Sequence, residues 1–160
     1  MTEVVRTASE DDTAAVAARL AASLPPGAVV LLTGDLGAGK TAFVRGMAAG
    51  LGIDPDEISS PTFTLIQEYR PAARVGAGDG QGGHEARVLS HVDLYRLEGA
   101  EVEDLGLEEL SAGGGVVAIE WAEKLASPPI GAVQVTISDL GGDIREIRIE
   151  WLSDRPATHR

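Results

Sequence analysis

Eight consecutive residues carry a chemistry that their neighbours do not. Gly34-Asp35-Leu36-Gly37-Ala38-Gly39-Lys40-Thr41 follows the pattern Gly-x4-Gly-Lys-Thr. Glycines at this spacing let the backbone turn with successive N–H groups facing inward, which forms a nest for an anion. A helix starting at Lys40 directs its positive end at the same point. Lys40 adds a point charge, and the Thr41 hydroxyl is a hard oxygen suited to Mg²⁺. These are the parts of a site for the phosphates of ATP and their Mg²⁺. Asp35, Leu36, Gly37, Ala38, Gly39, Lys40, Thr41 and Ala42 are therefore the candidate nucleotide-binding residues. Lysine is scarce in this chain: there are two, Lys40 and Lys124, against eleven arginines. A lysine at the one place such a loop requires it is informative.

Two acids are the next candidates. Asp93 follows the expected strand Val88–Val92, and Glu120 follows the apolar run Val116–Ile119. Acids at strand ends are where such sites find a second Mg²⁺ contact and a group that orients the attacking water. The plain alternative for each is a helix cap or a solvated surface acid.

The elements that must position these groups follow from periodicity. Ser9 with Asp12 reads as a capping box. Val16, Ala17, Leu20, Ala21 and Leu24 then recur at helical spacing, and Pro25-Pro26-Gly27 end the helix. Ala28–Thr33 is a short apolar, β-branched run, which suits a strand covered on both faces. The glycine loop comes next, then a helix from Lys40 to about Leu51, with Gly50 and Gly52 expected as C-terminal caps. Phe63–Tyr69 and Arg87–Val92 read as two strands joined by a Gly-rich mobile loop, residues 71–85. Glu98–Leu110 is acidic and partly helical in pattern. Val133, Val135 and Ile137, then Ile147, Ile149 and Trp151, alternate around Gly141-Gly142 and predict a β-hairpin. The expected fold is α/β: a P-loop NTPase-like mixed β-sheet flanked by helices, with a C-terminal β-hairpin. One domain, residues 1–152, is expected to hold all of it, with 153–160 a disordered tail. The nucleotide belongs at the carboxyl ends of the strands.

Composition sets outer limits. A chain of 160 residues suits one domain. With 44% hydrophobic and 24% charged residues it is ordinary for a soluble globular protein. No apolar run reaches membrane-span length and no signal peptide is expected. There is no cysteine, which excludes disulfides and thiolate metal sites and is compatible with a cytoplasmic location. The net charge of −12 disfavours direct binding to DNA or RNA, whose affinity comes largely from Lys and Arg on phosphates. A basic partner protein is easier to reconcile with it.

Four segments, taken in order, resemble a known family. They are Gly34–Thr41, Ser60-Pro61-Thr62-Phe63-Thr64, His91-Val92-Asp93-Leu94-Tyr95-Arg96-Leu97 and Ile119-Glu120-Trp121-Ala122-Glu123-Lys124. Their order and spacing resemble TsaE (YjeE), the small bacterial ATPase family of tRNA threonylcarbamoyladenosine biosynthesis, over about Ser9 to Trp151. The resemblance implies that Lys40 and the loop amides bind phosphates and that Thr41 and Glu120 ligate Mg²⁺. It implies that Thr62 acts as a switch residue near the γ-phosphate and that Asp93 helps position water. Trp121 would lie beside the nucleotide, its alternative being a large residue that fills the core. Lys40, Asp93 and Thr62 are thus the candidate catalytic residues. The implied partners are TsaB and TsaD, with tRNA reached only through their complex, which ATP binding and hydrolysis reset between turnovers.

The chain departs from the family pattern in two places. Ala42 stands where a second threonine is common, which removes a hydroxyl near the α-phosphate. The loop 71–85 is longer than the family leads one to expect. Two other readings of the same P-loop stay open: a small-molecule kinase, with Arg74 and Arg87 bordering a lid, and an ATP sensor that does not require hydrolysis. His91 reads either as a structural histidine or as a group that tunes Asp93 or touches phosphate. Arg45 and Arg96 are candidates for an arginine acting in cis on the phosphates. The acidic run Glu98, Glu101, Glu103, Asp104, Glu108 and Glu109 is either a solvated face or a dock for a basic partner.

Overall fold

Ser9 opens the first helix as its sequence requires. Its hydroxyl accepts from the Asp12 N–H at 3.0 Å, while the Asp12 carboxylate reaches back to the Ala8 N–H at 3.1 Å. Two otherwise orphaned donors are satisfied at once. This helix, α1, spans Glu10–Ser23 and presents Val16, Ala17, Leu20 and Ala21 to the interior. The structure, a computed structural model, describes residues 2–35, 37–58, 66–71, 87–125, 128–129 and 131–152.

Seven strands form one mixed sheet: β1 (Thr2–Thr7), β2 (Val29–Thr33), β3 (Ile66–Tyr69), β4 (Leu89–Asp93), β5 (Val116–Glu120), β6 (Val133–Gly141) and β7 (Ile144–Trp151). Their order is β1-β7-β6-β2-β5-β4-β3. The inner four, β6, β2, β5 and β4, are mutually parallel; β3, β7 and β1 run antiparallel to their neighbours. The strands β2, apolar through Leu32, and β5, apolar through Ile119, lie at the centre, where both faces are covered. The expected hairpin is β6–β7, in which Val135 pairs with Ile149 and Ile137 with Ile147. Helix α2 (Lys40–Gly50) packs with α1 on one face of the sheet over Val30, Leu32, Val135 and Ile147. The other face carries Val29, Leu31, Val117 and Ile119 under two short helices, α3 (Ala100–Glu103) and α4 (Leu107–Ala112), and the turns around them.

Three expectations are revised. Strand β1 is additional: it pairs along β7, Val5 opposite Ile147, and four of its six residues are exposed. The acidic stretch makes two short helices separated at Gly106. Gly50 is the last residue of α2 and Leu51 is the C-cap. A Cβ at Gly50 would lie 2.4 Å from the Ala18 carbonyl oxygen, so its small size lets α2 cross α1 closely. Gly52, at φ +83°, is the residue that turns the chain out of the helix. Thr62, Leu36, the strand start at 63–65, all of the Gly-rich segment except Pro71, and the tail 153–160 lie outside the described residues.

Candidate functional site

The loop between β2 and α2 has the backbone its glycines allow. Gly34, Gly37 and Gly39 all take positive φ, and Gly39 is the N-cap of α2 with no side chain bonded across the helix start. The first-turn N–H groups of α2 therefore face the loop's concavity, the geometry that attracts phosphate. Gly34 has a second constraint. A Cβ there would come within 2.7 Å of the Ile137 carbonyl oxygen, so the hairpin packs directly on the loop's first residue. The Ala38 N–H closes the turn by donating to the Asp35 carbonyl at 2.9 Å. Asp35 and Gly37 are exposed, Ala38 is buried, and Thr41 and Ala42 are half-buried in the first turn of α2.

Lys40 is buried, unusual for a lysine. Its Nζ donates to the Gly34 carbonyl at 2.5 Å and sits 4.0 Å from the centroid of the Trp121 ring. A cation over an indole face is attracted by the ring's quadrupole. Trp121 also packs on Tyr95, ring centroids 4.9 Å apart. Among the described residues Trp121 is the one non-glycine with positive φ, 61°. A left-handed tryptophan carries strain of roughly 1–2 kcal/mol, the kind of conformation that clusters at functional sites. Trp121 therefore lies against the loop lysine while packing, half-buried, on the edge of the apolar cluster around Val92, Leu94 and Ile119.

The two acids meet across the sheet. Asp93 ends β4, Glu120 ends β5, and the two are register partners. Burial raises the Asp93 carboxyl above its ordinary value and the nearby Glu120 charge adds to this; the Tyr95 N–H, His91 and Lys40 act in the opposite direction. That Lys40 and Glu120 both act on Asp93 means that all three share one electrostatic neighbourhood. The Tyr95 N–H donates to Asp93 Oδ1 at 2.9 Å. Glu120 is buried, and its Oε2 lies 2.6 Å from Nε2 of His91, which is fully buried. His91 thus faces Glu120 inside the sheet, not a phosphate.

The donor chemistry fits Mg²⁺. Thr41, Asp93 and Glu120 offer only hard oxygens. Among the described residues no group of three or more His, Cys, Asp or Glu surrounds a common point. Mg²⁺ is commonly held by one or two carboxylates with water and phosphate oxygens completing the shell, so a sparse protein set is what it takes.

Comparison with known proteins decides the family. Residues 7–147 match the family model described as "Threonylcarbamoyl adenosine biosynthesis protein TsaE". The chain belongs to the TsaE family. It is 42% identical over 151 residues to the tRNA threonylcarbamoyladenosine biosynthesis protein TsaE of Bacillus subtilis, covering 94% of this chain and 86% of that one. It is 41% identical over 143 residues to the protein of the same name from Treponema pallidum, covering 88% and 95%. Its fold is similar to the crystal structure of Bacillus subtilis YdiB, with a TM-score of 0.68 and 37% identity over 96% of this chain and 87% of that one.

Within this TsaE-family site, sequence reasoning missed two residues. Arg145, on β7, donates from Nε to the Ala38 carbonyl at 3.0 Å and from Nη1 to Asp139, Gly142 and Ile144, bolting the hairpin turn to the glycine loop. Lys124 donates to the Tyr95 and Leu97 carbonyls and pairs with Glu98, tying the turn after β4 to that after β5. The signals for Lys124 were the scarcity of lysine and its place at the end of the segment Ile119–Lys124. Of the candidate cis arginines, Arg45 donates from Nε to the Ile58 carbonyl, and Arg96 is exposed in the turn after β4, beside Tyr95. Arg87, considered for a kinase lid, donates to the Leu24 carbonyl at the end of α1. Among the described residues, no helix is long and apolar enough to cross a membrane.

Proposed function

We propose that this TsaE-family chain binds ATP with Mg²⁺ and hydrolyses it slowly, serving tRNA threonylcarbamoyladenosine biosynthesis by acting on a TsaB–TsaD pair. The observation that carries the reading is that Lys40, the first residue of α2, shares one electrostatic neighbourhood with Asp93 and Glu120, which end the adjacent parallel strands β4 and β5. The names of the similar proteins from Bacillus subtilis and Treponema pallidum support the pathway.

In this reading the amides of Asp35–Ala42 and the α2 N-terminus hold the phosphates, and Lys40 leaves the Gly34 carbonyl to neutralise the β- and γ-phosphates. Thr41 and Glu120 hold Mg²⁺, which when bound supplies further charge neutralisation. Asp93 orients the attacking water and Thr62 contacts the γ-phosphate. Catalysis of this type is mostly positioning and electrostatics. Arg45 Nε donates to the Ile58 carbonyl rather than pointing at phosphate, which favours weak turnover by the protein alone. The net charge of −12 favours tRNA contact through the partners rather than directly.

The test is ATP hydrolysis by the purified protein, alone and with TsaB plus TsaD from the same source, with Lys40→Ala as control. Stimulation by the pair, lost in the variant, is the expected result. Nucleotide binding without stimulated hydrolysis would replace this reading with an ATP sensor; consumption proportional to an added acceptor would replace it with a kinase.

A further inference from the structure

We propose that His91 is a positioning residue for Glu120, fixing the carboxylate that holds Mg²⁺; the inference rests on the metal role given to Glu120 above. The geometry is specific to the two strands. His91 stands two residues before Asp93 on β4, so both side chains project from the same face. Its register partner on β5 is Ala118, and Glu120 lies two residues further on. Diagonal neighbours of this kind come within reach when one side chain is long. The small Ala118 leaves room for the imidazole to lean toward Glu120, and the contact of 2.6 Å is the result. Neither partner is open to water: His91 is 0% and Glu120 4% exposed.

A carboxylate oxygen accepts hydrogen bonds, so the contact is assigned as Nε2–H donating to Oε2. Nδ1 has no partner among the described residues. Among the described residues the ring's hydrogen-bond partner is Glu120. A glutamate has three side-chain torsions, and without this bond packing alone would orient its carboxylate at the end of the strand. With it, Oε2 is held and Oε1 is the oxygen the ring leaves for a cation. Carboxylates and imidazoles around metals are oriented by outer partners in this way, and loss of such a partner typically weakens metal binding by 10–100-fold.

Two substitutions separate positioning from simple core filling. The amide nitrogen of Gln reaches the place of Nε2, whereas that of Asn reaches only the place of Nδ1. Both variants are polar and smaller than the imidazole, so a core role would be damaged by both. The measurement is calorimetric binding of a non-hydrolysable ATP analogue, first in EDTA and then across a Mg²⁺ titration. Wild type, His91→Gln, His91→Asn, Glu120→Gln and the double variant His91→Asn/Glu120→Gln are compared, with thermal unfolding to confirm the fold. His91→Asn is expected to need about 10–100-fold more Mg²⁺ while binding the metal-free analogue as wild type does. His91→Gln should recover most of the loss, and His91→Asn should add nothing in the Glu120→Gln background. Equal Mg²⁺ requirements in wild type and His91→Asn, equal damage in the two His91 variants, or additive losses in the double variant would each overturn the proposal while leaving the nucleotide site standing. A wild-type protein whose analogue binding ignores Mg²⁺ would overturn the metal role of Glu120, and the inference with it.

Discussion

The layer between the sheet and helices α1 and α2 is built by one rule, and the carboxyl end of the central strands by its opposite. In the layer, Val30, Leu32, Phe43, Val44 and Met47 are all at most 2% exposed, and every one is apolar. At the strand ends the buried residues are Lys40, His91 and Glu120, next to a half-buried Asp93 and a left-handed Trp121. The first region gains free energy from removing carbon from water. The second spends some of it on desolvated charge and backbone strain. A fold that keeps charged groups where they cost stability does so because the groups are wanted there, so the two regions should respond to mutation in opposite ways.

The largest effect belongs to the apolar layer. Met47→Ala should destabilise by about 2–5 kcal/mol, the range for truncating a buried methionine, as read by denaturant unfolding. Nucleotide affinity of the folded protein should stay near wild type. Lys40→Ala should do the reverse. By analogy with removing one preorganised donor to developing charge, hydrolysis should fall by about 10²–10³-fold, with no loss of melting temperature. A Lys40→Ala protein that melts well below wild type would erase the contrast, since it would make the lysine part of the scaffold.

Arg145 tests the seam between the regions. It belongs to the hairpin, yet its Nε holds the Ala38 carbonyl of the loop. Arg145→Met keeps the aliphatic stem and removes the donors. Hydrogen bonds from charged groups contribute about 1.5–3 kcal/mol, so chemical denaturation should show a loss of that order, together with weaker nucleotide binding. Asp139→Asn, which removes the charge of the half-exposed ion pair at 3.1 Å and keeps an oxygen for the Gly141 N–H, should cost no more than about 1 kcal/mol. Loss of stability with unchanged nucleotide affinity would show that the bolt serves the hairpin alone.

The same contrast explains what the sequence revealed. Local patterns were readable: glycine spacing for the loop, apolar runs for β2 and β5, alternation for β6–β7. Asp93 and Glu120 were legible because each sits at the end of an expected strand. What depends on partners distant in the chain was not. Strand β1 exposes most of its residues and exists by pairing with β7, some 140 residues away. Arg145 looks like any polar residue on an alternating strand; only the β6–β2 adjacency brings its hairpin to Ala38. Gly50 looks like a cap until α1 is laid across it. His91 could be narrowed to two readings but not resolved, since its partner depends on which strand lies beside β4 and in what register.

The smallest expected effect is also the sharpest probe of the costly region. Burial, reinforced by Glu120, raises the Asp93 carboxyl above its ordinary value. A carboxyl raised by folding gives stability that is fully present below its unfolded value, about 3.9, and is lost as pH rises through the higher folded value. At neutral pH the ionised Asp93 therefore works against folding. Asp93→Asn keeps an oxygen for the Tyr95 N–H and removes the charge. In metal-free and nucleotide-free buffer it should melt above wild type at pH 7, and the gap should close as the pH falls and wild-type Asp93 takes up its proton. A variant less stable than wild type at pH 7 would mean that Lys40 and the Tyr95 N–H outweigh burial at this position. The acid would then be a structural partner of the lysine rather than a group held at the scaffold's expense.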